Sequence, residues 1–326
     1  MIGLKKMDNQ NPVDYPGSNK EWKLIEKVVT GLHDEQRKSR RWGIFFKLAT
    51  LMYVLFIGVM ISNSADDIVR GNGEPYAAII EVNGVIAAAQ DASADNIITA
   101  LRSAFEDEDV LGIILRINSP GGSPVQSGYV YDEIKRLKET RELPVYAVIS
   151  DLGASGAYYI AAAADEIYAD KASLVGSIGV VGSSFGFTGA MEKFGVERRL
   201  YTAGEHKGFL DPFSPENPEE KQFWESVLKV THNQFIEQVR LGRGDRLKET
   251  PDMFSGLVWS GEQAVEMGLI DGLSSTSALV RTKFNTEEMV NFTLQKDAWE
   301  SLVQKLGASI GTGLATAVTG NSLQLH

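Results

Sequence analysis

Three hydrophobic patterns follow one another along the chain. LATLMYVLFIGVMI (48–61) carries no charge, and WGIFFK extends the apolar stretch back to Trp42. A run of about 20 such residues is long enough to cross a bilayer. The pattern therefore predicts one transmembrane helix over 42–62, with Lys47 reaching for the interface. From residue 77 the apolar runs shorten and change period. AAIIEVNGVIAA (77–88), LGIILRINS (111–119), PVYAVISD (144–151) and EIYAD (166–170) read as strands. DNIITALRSAFED (95–107), SGYVYDEIKRLKE (127–139) and GASGAYYIAAAAD (153–165) have helical spacing, with Asp95 as a cap for the first. Farther on, VERRLYTAG (196–204) reads as a strand and 214–244 as a long helix opened by proline and acids. WSGEQAVEMGLIDGL (259–273) reads as helix, glycine stop and short strand.

Strands that alternate with helices predict an α/β domain built on a mostly parallel sheet covered on both faces. In such sheets ligands gather at the carboxyl ends of the strands. Two glycine-rich turns fall there, NSPGGS (118–123) and SDLGASG (150–156). The expected organisation is a tail over 1–41, the anchor over 42–62, a linker over 63–76, one catalytic-sized domain over 77–282 and a C-terminal tail over 283–326. DAWESLVQKLGASIGTGLATAV (297–318) begins as an amphipathic helix and becomes small and apolar. It is either disordered or a segment that packs on a neighbouring protomer or a substrate groove.

Charge gives the anchor a direction. RKSRR (37–41) puts four basic residues just before Trp42, and NSADD follows the apolar stretch. By the positive-inside rule the N-terminal tail is cytoplasmic and the bulk of the chain extracytoplasmic. Residues 1–41 hold nine Lys/Arg and six Asp/Glu, so the −11 of the whole chain leaves −14 on the remainder. An acidic domain of that kind argues against nucleic acid as a partner. The chain has no cysteine, which excludes disulfides, thiolate catalysis and Cys-ligated zinc. Its four histidines, His33, His206, His232 and His326, include no i, i+4 pair for an HExxH-type metal helix. No metal or cofactor is expected.

The candidate chemistry lies in the two glycine turns. Ser155 follows a strand at the mouth of a helix, flanked by Gly153, Ala154, Gly156 and Ala157. It can be a helix cap, or it can be a nucleophile favoured by the helix dipole. Gly121 and Gly122 can form an ordinary turn, or can aim main-chain N–H groups at an oxyanion. The residues alone leave both questions open. They also leave two neighbouring bases, His206 and Lys207, which spacing cannot separate.

Taken together, INSPGG (117–122), DLGASGAYYIAAAAD (151–165), VGSIGV (175–180), AGEHKGF (203–209) and GLVWSGEQAVEMGLID (256–271) resemble the signal peptide peptidase A type of serine peptidases. The resemblance runs from about Ala77 to Leu273. It implies a ClpP/crotonase-like fold of repeated ββα units behind one N-terminal transmembrane helix. It also implies a Ser/Lys dyad with Ser155 as nucleophile and Lys207 as general base, Ser177 hydrogen-bonded to the lysine, and an oxyanion region at Gly121 and Gly122. Cleavage of hydrophobic peptides such as remnant signal peptides follows, in a homo-oligomer at the bacterial inner membrane with the catalytic domain on the periplasmic side. A lysine is a poor base unless burial lowers its proton affinity, so a buried Lys207 is expected. The rival functions on the same fold are an inactive peptide-binding scaffold and a crotonase-like acyl-CoA enzyme. Extracytoplasmic placement opposes the second of these.

Overall fold

The computed structural model describes residues 18–69 and 74–294. These fall into two units, divided at Ile68/Val69. The first is α1 (Ser18–Val69), a 52-residue helix. At 1.5 Å per residue it is roughly 78 Å long, well beyond the hydrocarbon thickness of a bilayer. Among the described residues it holds the one stretch long and apolar enough to cross a membrane, Arg40–Gly58. Trp42, directly after Arg40 and Arg41, meets Phe45 edge-on and Phe46 at a tilt, both with ring centroids 5.7 Å apart. Aromatic and basic residues side by side are typical of the edge of a membrane span. The helix continues past Ser62 to Val69, where a linker was expected.

The second unit is an α/β sheet. Its first half alternates strand and helix: β1 (Tyr76–Asn83), α2 (Ala94–Glu106), β2 (Val110–Ser119), α3 (Pro124–Thr140), β3 (Val145–Ala154), α4 (Gly156–Ala161) and β4 (Glu166–Ala169). Then come β5 (Leu174–Gly176), α5 (Thr188–Phe194), α6 (Pro218–Arg243), β6 (Val258–Ser260), α7 (Gly261–Glu266), β7 (Gly272–Leu273), α8 (Thr276–Phe284) and β8 (Met289–Asn291). The spatial order is β6-β5-β3-β2-β1-β8, with β4 and β7 branching from β3. All pairings are parallel except that of β5 with the edge strand β6.

Both faces of this sheet are covered, which is why β2 reads as a nearly continuous apolar run. Ile80, Val82, Leu115, Ile117, Ala147 and Ile149 point into the larger core. Their neighbours Ile79, Ile114 and Val148 point the other way, against Leu279 and Val280 of α8. The two-residue period of the strands thus serves two cores at once.

Side chains lock the layers. Glu133 of α3 bonds Arg136 and reaches Arg102 of α2. These guanidinium groups, Arg136 foremost, hold its carboxyl down at about 2. Arg243, fully buried at the end of α6, forks onto both carboxylate oxygens of Asp271 at 2.7 and 3.0 Å and donates to Gly268 O. Burial pushes the Asp271 carboxyl up, but Arg243, the Ile167 N–H and Arg246 outweigh it and carry it below its ordinary value. The preceding residue, Gly242, lies so close to the end of α4 that a Cβ there would stand 1.9 Å from Ala162 O.

Four expectations change. The cap of α2 is Ser93, whose Oγ accepts from Asn96 N–H, while Asp95 sits inside the first turn. The helix expected over 153–165 shrinks to α4, because Gly153 and Ala154 stay in β3 and the buried run Ala162–Ala164 turns toward β4. Residues 196–204 form no strand: Val196, Leu200 and Tyr201 are exposed and find no sheet edge. Finally, β8 pairs in parallel with β1, so the sheet runs past the expected boundary at 282. The stretch 297–318 lies outside the described residues.

Candidate active site

The site begins with a slip in register. β2 and β3 pair residue for residue from Ile113↔Val145 to Ile117↔Ile149, and then resume at Ser119↔Gly153. The extra residues on β3 bend it, and its edge passes from β4 to β5, which takes over at Leu152↔Leu174. A bulge of this kind re-aims the strand end. What it re-aims is Ser155.

Ser155 stands between β3 and α4 with φ 54° and ψ −126°. This is a left-handed conformation that a residue with a Cβ adopts only under constraint. Its main chain is held at both ends: the N–H donates to Gly176 O at 2.8 Å, and the carbonyl accepts from Tyr159 N–H at 3.0 Å. Its hydroxyl makes no capping hydrogen bond, although the residue occupies the cap position. The capping role is therefore not what the side chain does.

The NSPGGS turn lies directly against it. A Cβ on Gly121 would stand 2.6 Å from Gly156 N and 2.7 Å from Ser155 Cβ. A Cβ on Gly122, where φ is 153°, would stand 2.1 Å from Ile86 O. Ile86 bridges to this turn through Ile86 N–H to Gly121 O and Ser123 N–H to Ile86 O. Only glycine lets the two turns approach so closely. The two glycines are not equivalent. Gly121 N–H donates to Ser119 Oγ at 3.1 Å, whereas among the described residues Gly122 N–H has no partner. Gly156 opens α4, so its N–H also lacks an intrahelical acceptor. A Cβ on Gly156 would lie 3.3 Å from Gly122 N, which puts these two donors side by side next to Ser155.

A cavity of about 680 Å³ opens over this point. Ser155, Ser177 and Gly122 line one side of it, and Val125, Tyr159 and Phe235 give it an apolar floor. Tyr159 packs on Phe235 at 5.1 Å and edge-on to Tyr131 at 5.5 Å. Burial raises the Tyr159 hydroxyl above its ordinary value, and nearby Asp132 adds to this, so it stays neutral. Ser177 follows β5 with φ 50° and donates its N–H to Leu257 O at 2.8 Å.

The sequence-based residues thus separate into two groups. Ser155, Ser177 and the Gly121–Gly122 turn come together. Lys207 does not join them: it is exposed, in the irregular stretch after Gly204, and neither it nor His206 lines the cavity. His206 is 66% exposed and sits 3.7 Å from Glu220. The burial expected for Lys207 is absent in the single chain, where residues 196–207 are all exposed. One wall residue was missed. His232 of α6 lines the cavity, with Nε2 3.0 Å from Ile178 O. The signal was present in its spacing, since 232, 235 and 239 share the helix face that buries Phe235 and Val239.

Fold and site define an α/β protein that presents a strained serine beside two free main-chain donors at the carboxyl ends of parallel strands. Comparison with known proteins adds the lineage. Residues 138–290 match the family model described as Peptidase family S49. A putative protease of Methanocaldococcus jannaschii is 31% identical over 229 residues, covering 68% of this chain and 73% of that protein. A putative signal peptide peptidase SppA of Enterococcus faecium is 32% identical over 200 residues, 59% of this chain and 58% of its own length. A protein named as a Na(+)/H(+) antiporter NhaA of Brucella abortus is 45% identical over 184 residues, which cover 56% of this chain but 25% of that protein. The chain belongs to peptidase family S49.

Proposed function

We propose that the protein is a membrane-anchored serine endopeptidase that cleaves hydrophobic peptides, such as remnant signal peptides, through a Ser155/Lys207 acyl-enzyme mechanism on a ClpP/crotonase-like fold. The observation that carries the reading is Ser155 itself. Its strained backbone places a hydroxyl with no capping role next to the unpartnered Gly122 N–H. Ser155 Oγ attacks the scissile carbonyl carbon while its proton passes to the neutral Lys207 amine. The carbonyl oxygen becomes an oxyanion held by Gly122 and Gly156 N–H. When the carbon–nitrogen bond breaks, the proton goes on to the departing amine, leaving an acyl-Ser155 ester. Water, deprotonated by the same amine, attacks the ester, and as the acyl carbon–Oγ bond breaks the lysine returns the proton to Ser155 Oγ and the acid is released. Ser177, on the wall of the same cavity, orients the lysine.

Lys207 reaches this site from a second copy of the chain. Its own segment is exposed, and Phe185, Phe194 and Tyr201 nearby in sequence lie 78–88% exposed in the single chain, a surface suited to burial between protomers. The apolar floor of the cavity suits small or apolar side chains of a peptide. The Arg40–Gly58 span, with its basic upstream flank, anchors the protein in the inner membrane with residues 1–41 in the cytoplasm and the sheet domain outside.

The test is hydrolysis of an apolar peptide by the full-length protein. Ser155→Ala and Lys207→Ala should each be inactive, and mixing the two during assembly should restore part of the activity. An active Lys207→Ala beside an inactive His206→Ala would show that the base is wrong. Two inactive variants that stay inactive when mixed would show that the dyad is not shared between copies.

A further inference from the structure

Ser177 is the second strained serine of the cavity, and the main chain around it is pinned at three consecutive residues. Gly176 O accepts from Ser155 N–H at 2.8 Å, Ser177 N–H donates to Leu257 O at 2.8 Å, and Ile178 O faces His232 Nε2 at 3.0 Å. The first two bonds are main chain to main chain, so almost any sequence can make them. The third depends on one side chain. A carbonyl oxygen only accepts, so Nε2 carries the proton, in the neutral ring as in the cation. The tether therefore does not switch with the charge of the ring. His232 is carried by α6, a 26-residue helix whose far end is fixed by the buried Arg243–Asp271 fork.

We propose that His232 is a positioning residue for the peptidase reaction: its bond to Ile178 O holds Ser177 in the left-handed conformation that turns its hydroxyl into the Ser155 cavity. The inference rests on the reading of Ser155 and Ser177 given above and deepens it. A residue with a Cβ at φ 50° relaxes to negative φ when its surroundings allow. Without the tether, the 176–178 stretch loses one of three restraints, and Ser177 leaves the place from which it meets the lysine. His232 acts through Ser177 and does not take the Ser155 proton.

The test uses full-length protein with His232→Ala, His232→Gln and the same changes on a Ser177→Ala background. The glutamine amide reaches about as far as Nε2 and can donate to Ile178 O, but it cannot act as a base. His232→Ala should lower kcat on an apolar peptide ester about fivefold to tenfold, the weight of one net hydrogen bond, with KM unchanged. His232→Gln should stay within about twofold of the unmodified protein, by the same bond. On the Ser177→Ala background His232→Ala should add no further loss. Full activity in His232→Ala would overturn the proposal, as would equal impairment of the Gln variant, which would make His232 a base. A loss on the Ser177→Ala background as large as in its absence would overturn it too. Amide exchange at residues 177–179 gives a readout independent of turnover. It should quicken in His232→Ala and recover in His232→Gln; unchanged exchange would also overturn the proposal. If the unmodified protein neither cleaves nor reacts at Ser155 while exchange responds as expected, the tether stands and the peptidase reading is what fails.

Discussion

Ser155→Gly should remove all activity and yet leave a protein more stable than Ser155→Ala. Both variants delete the hydroxyl, which makes no capping bond, so neither loses a folded-state hydrogen bond at the cap. Alanine keeps the Cβ and therefore the strain of φ 54° and ψ −126°, which costs about 1–3 kcal/mol. Glycine occupies that region freely but loses more chain entropy on folding, about 0.5–1 kcal/mol. The balance favours glycine by up to about 2 kcal/mol. For a domain of this size, about 2–4 °C of melting temperature corresponds to each kcal/mol, so the glycine variant should melt above the alanine variant by up to about 4–8 °C. Thermal melting of the two proteins in the same detergent, followed by circular dichroism, reads the difference directly. A glycine variant that melts at or below the alanine variant would refute the reasoning. Ser155 would then carry no strain, and the site would not be held ready by its backbone.

Three further outcomes follow from the structure. Gly122→Ala should abolish activity and destabilise by about 1–3 kcal/mol or more, since its Cβ would overlap Ile86 O at 2.1 Å; a folded and active variant would contradict the packing of the two turns. The Glu133 carboxyl, held at about 2 by Arg136 and Arg102, contributes stability that is fully present above its ordinary value of 4.5 and is lost as pH falls from there toward 2. Both arginines are half exposed, so the contribution is about 1 kcal/mol, and acid titration of Glu133→Gln should show a correspondingly shallower loss of stability than the unmodified protein. If the proposed topology holds, protease added to spheroplasts should digest the domain after the candidate span Arg40–Gly58 and spare the first forty residues, and protection of that domain would reverse it.

Much of the fold was legible because both of its periods are written in the chain. β2 and β3 read as apolar runs since each face has a core, and α6 was marked by proline and acids at its start. Ser155 and the Gly121–Gly122 pair were legible as turns at strand ends, and Ser177 only through the family resemblance. Four things were not. The register slip after Ile149 depends on pairing with a distant strand, so 153–165 reads as one helix although Ser155 breaks it. Residues 196–204 read as a strand but have no edge to join, which only the sheet order reveals. His232 looks like any polar residue of an amphipathic helix until Ile178 O is placed beside it. The division of labour between Gly121 and Gly122 is likewise set by Ser119 Oγ, a contact no spacing rule announces.

The central claim is that Ser155 is a nucleophile, and covalent labelling tests it most directly. Full-length protein treated with a fluorophosphonate, digested and mapped by mass spectrometry should carry a single adduct on the peptide containing Ser155. The adduct should be absent in Ser155→Ala and form much more slowly in Lys207→Ala. An adduct on another serine, or equal labelling of the Ser155→Ala variant, would contradict the account.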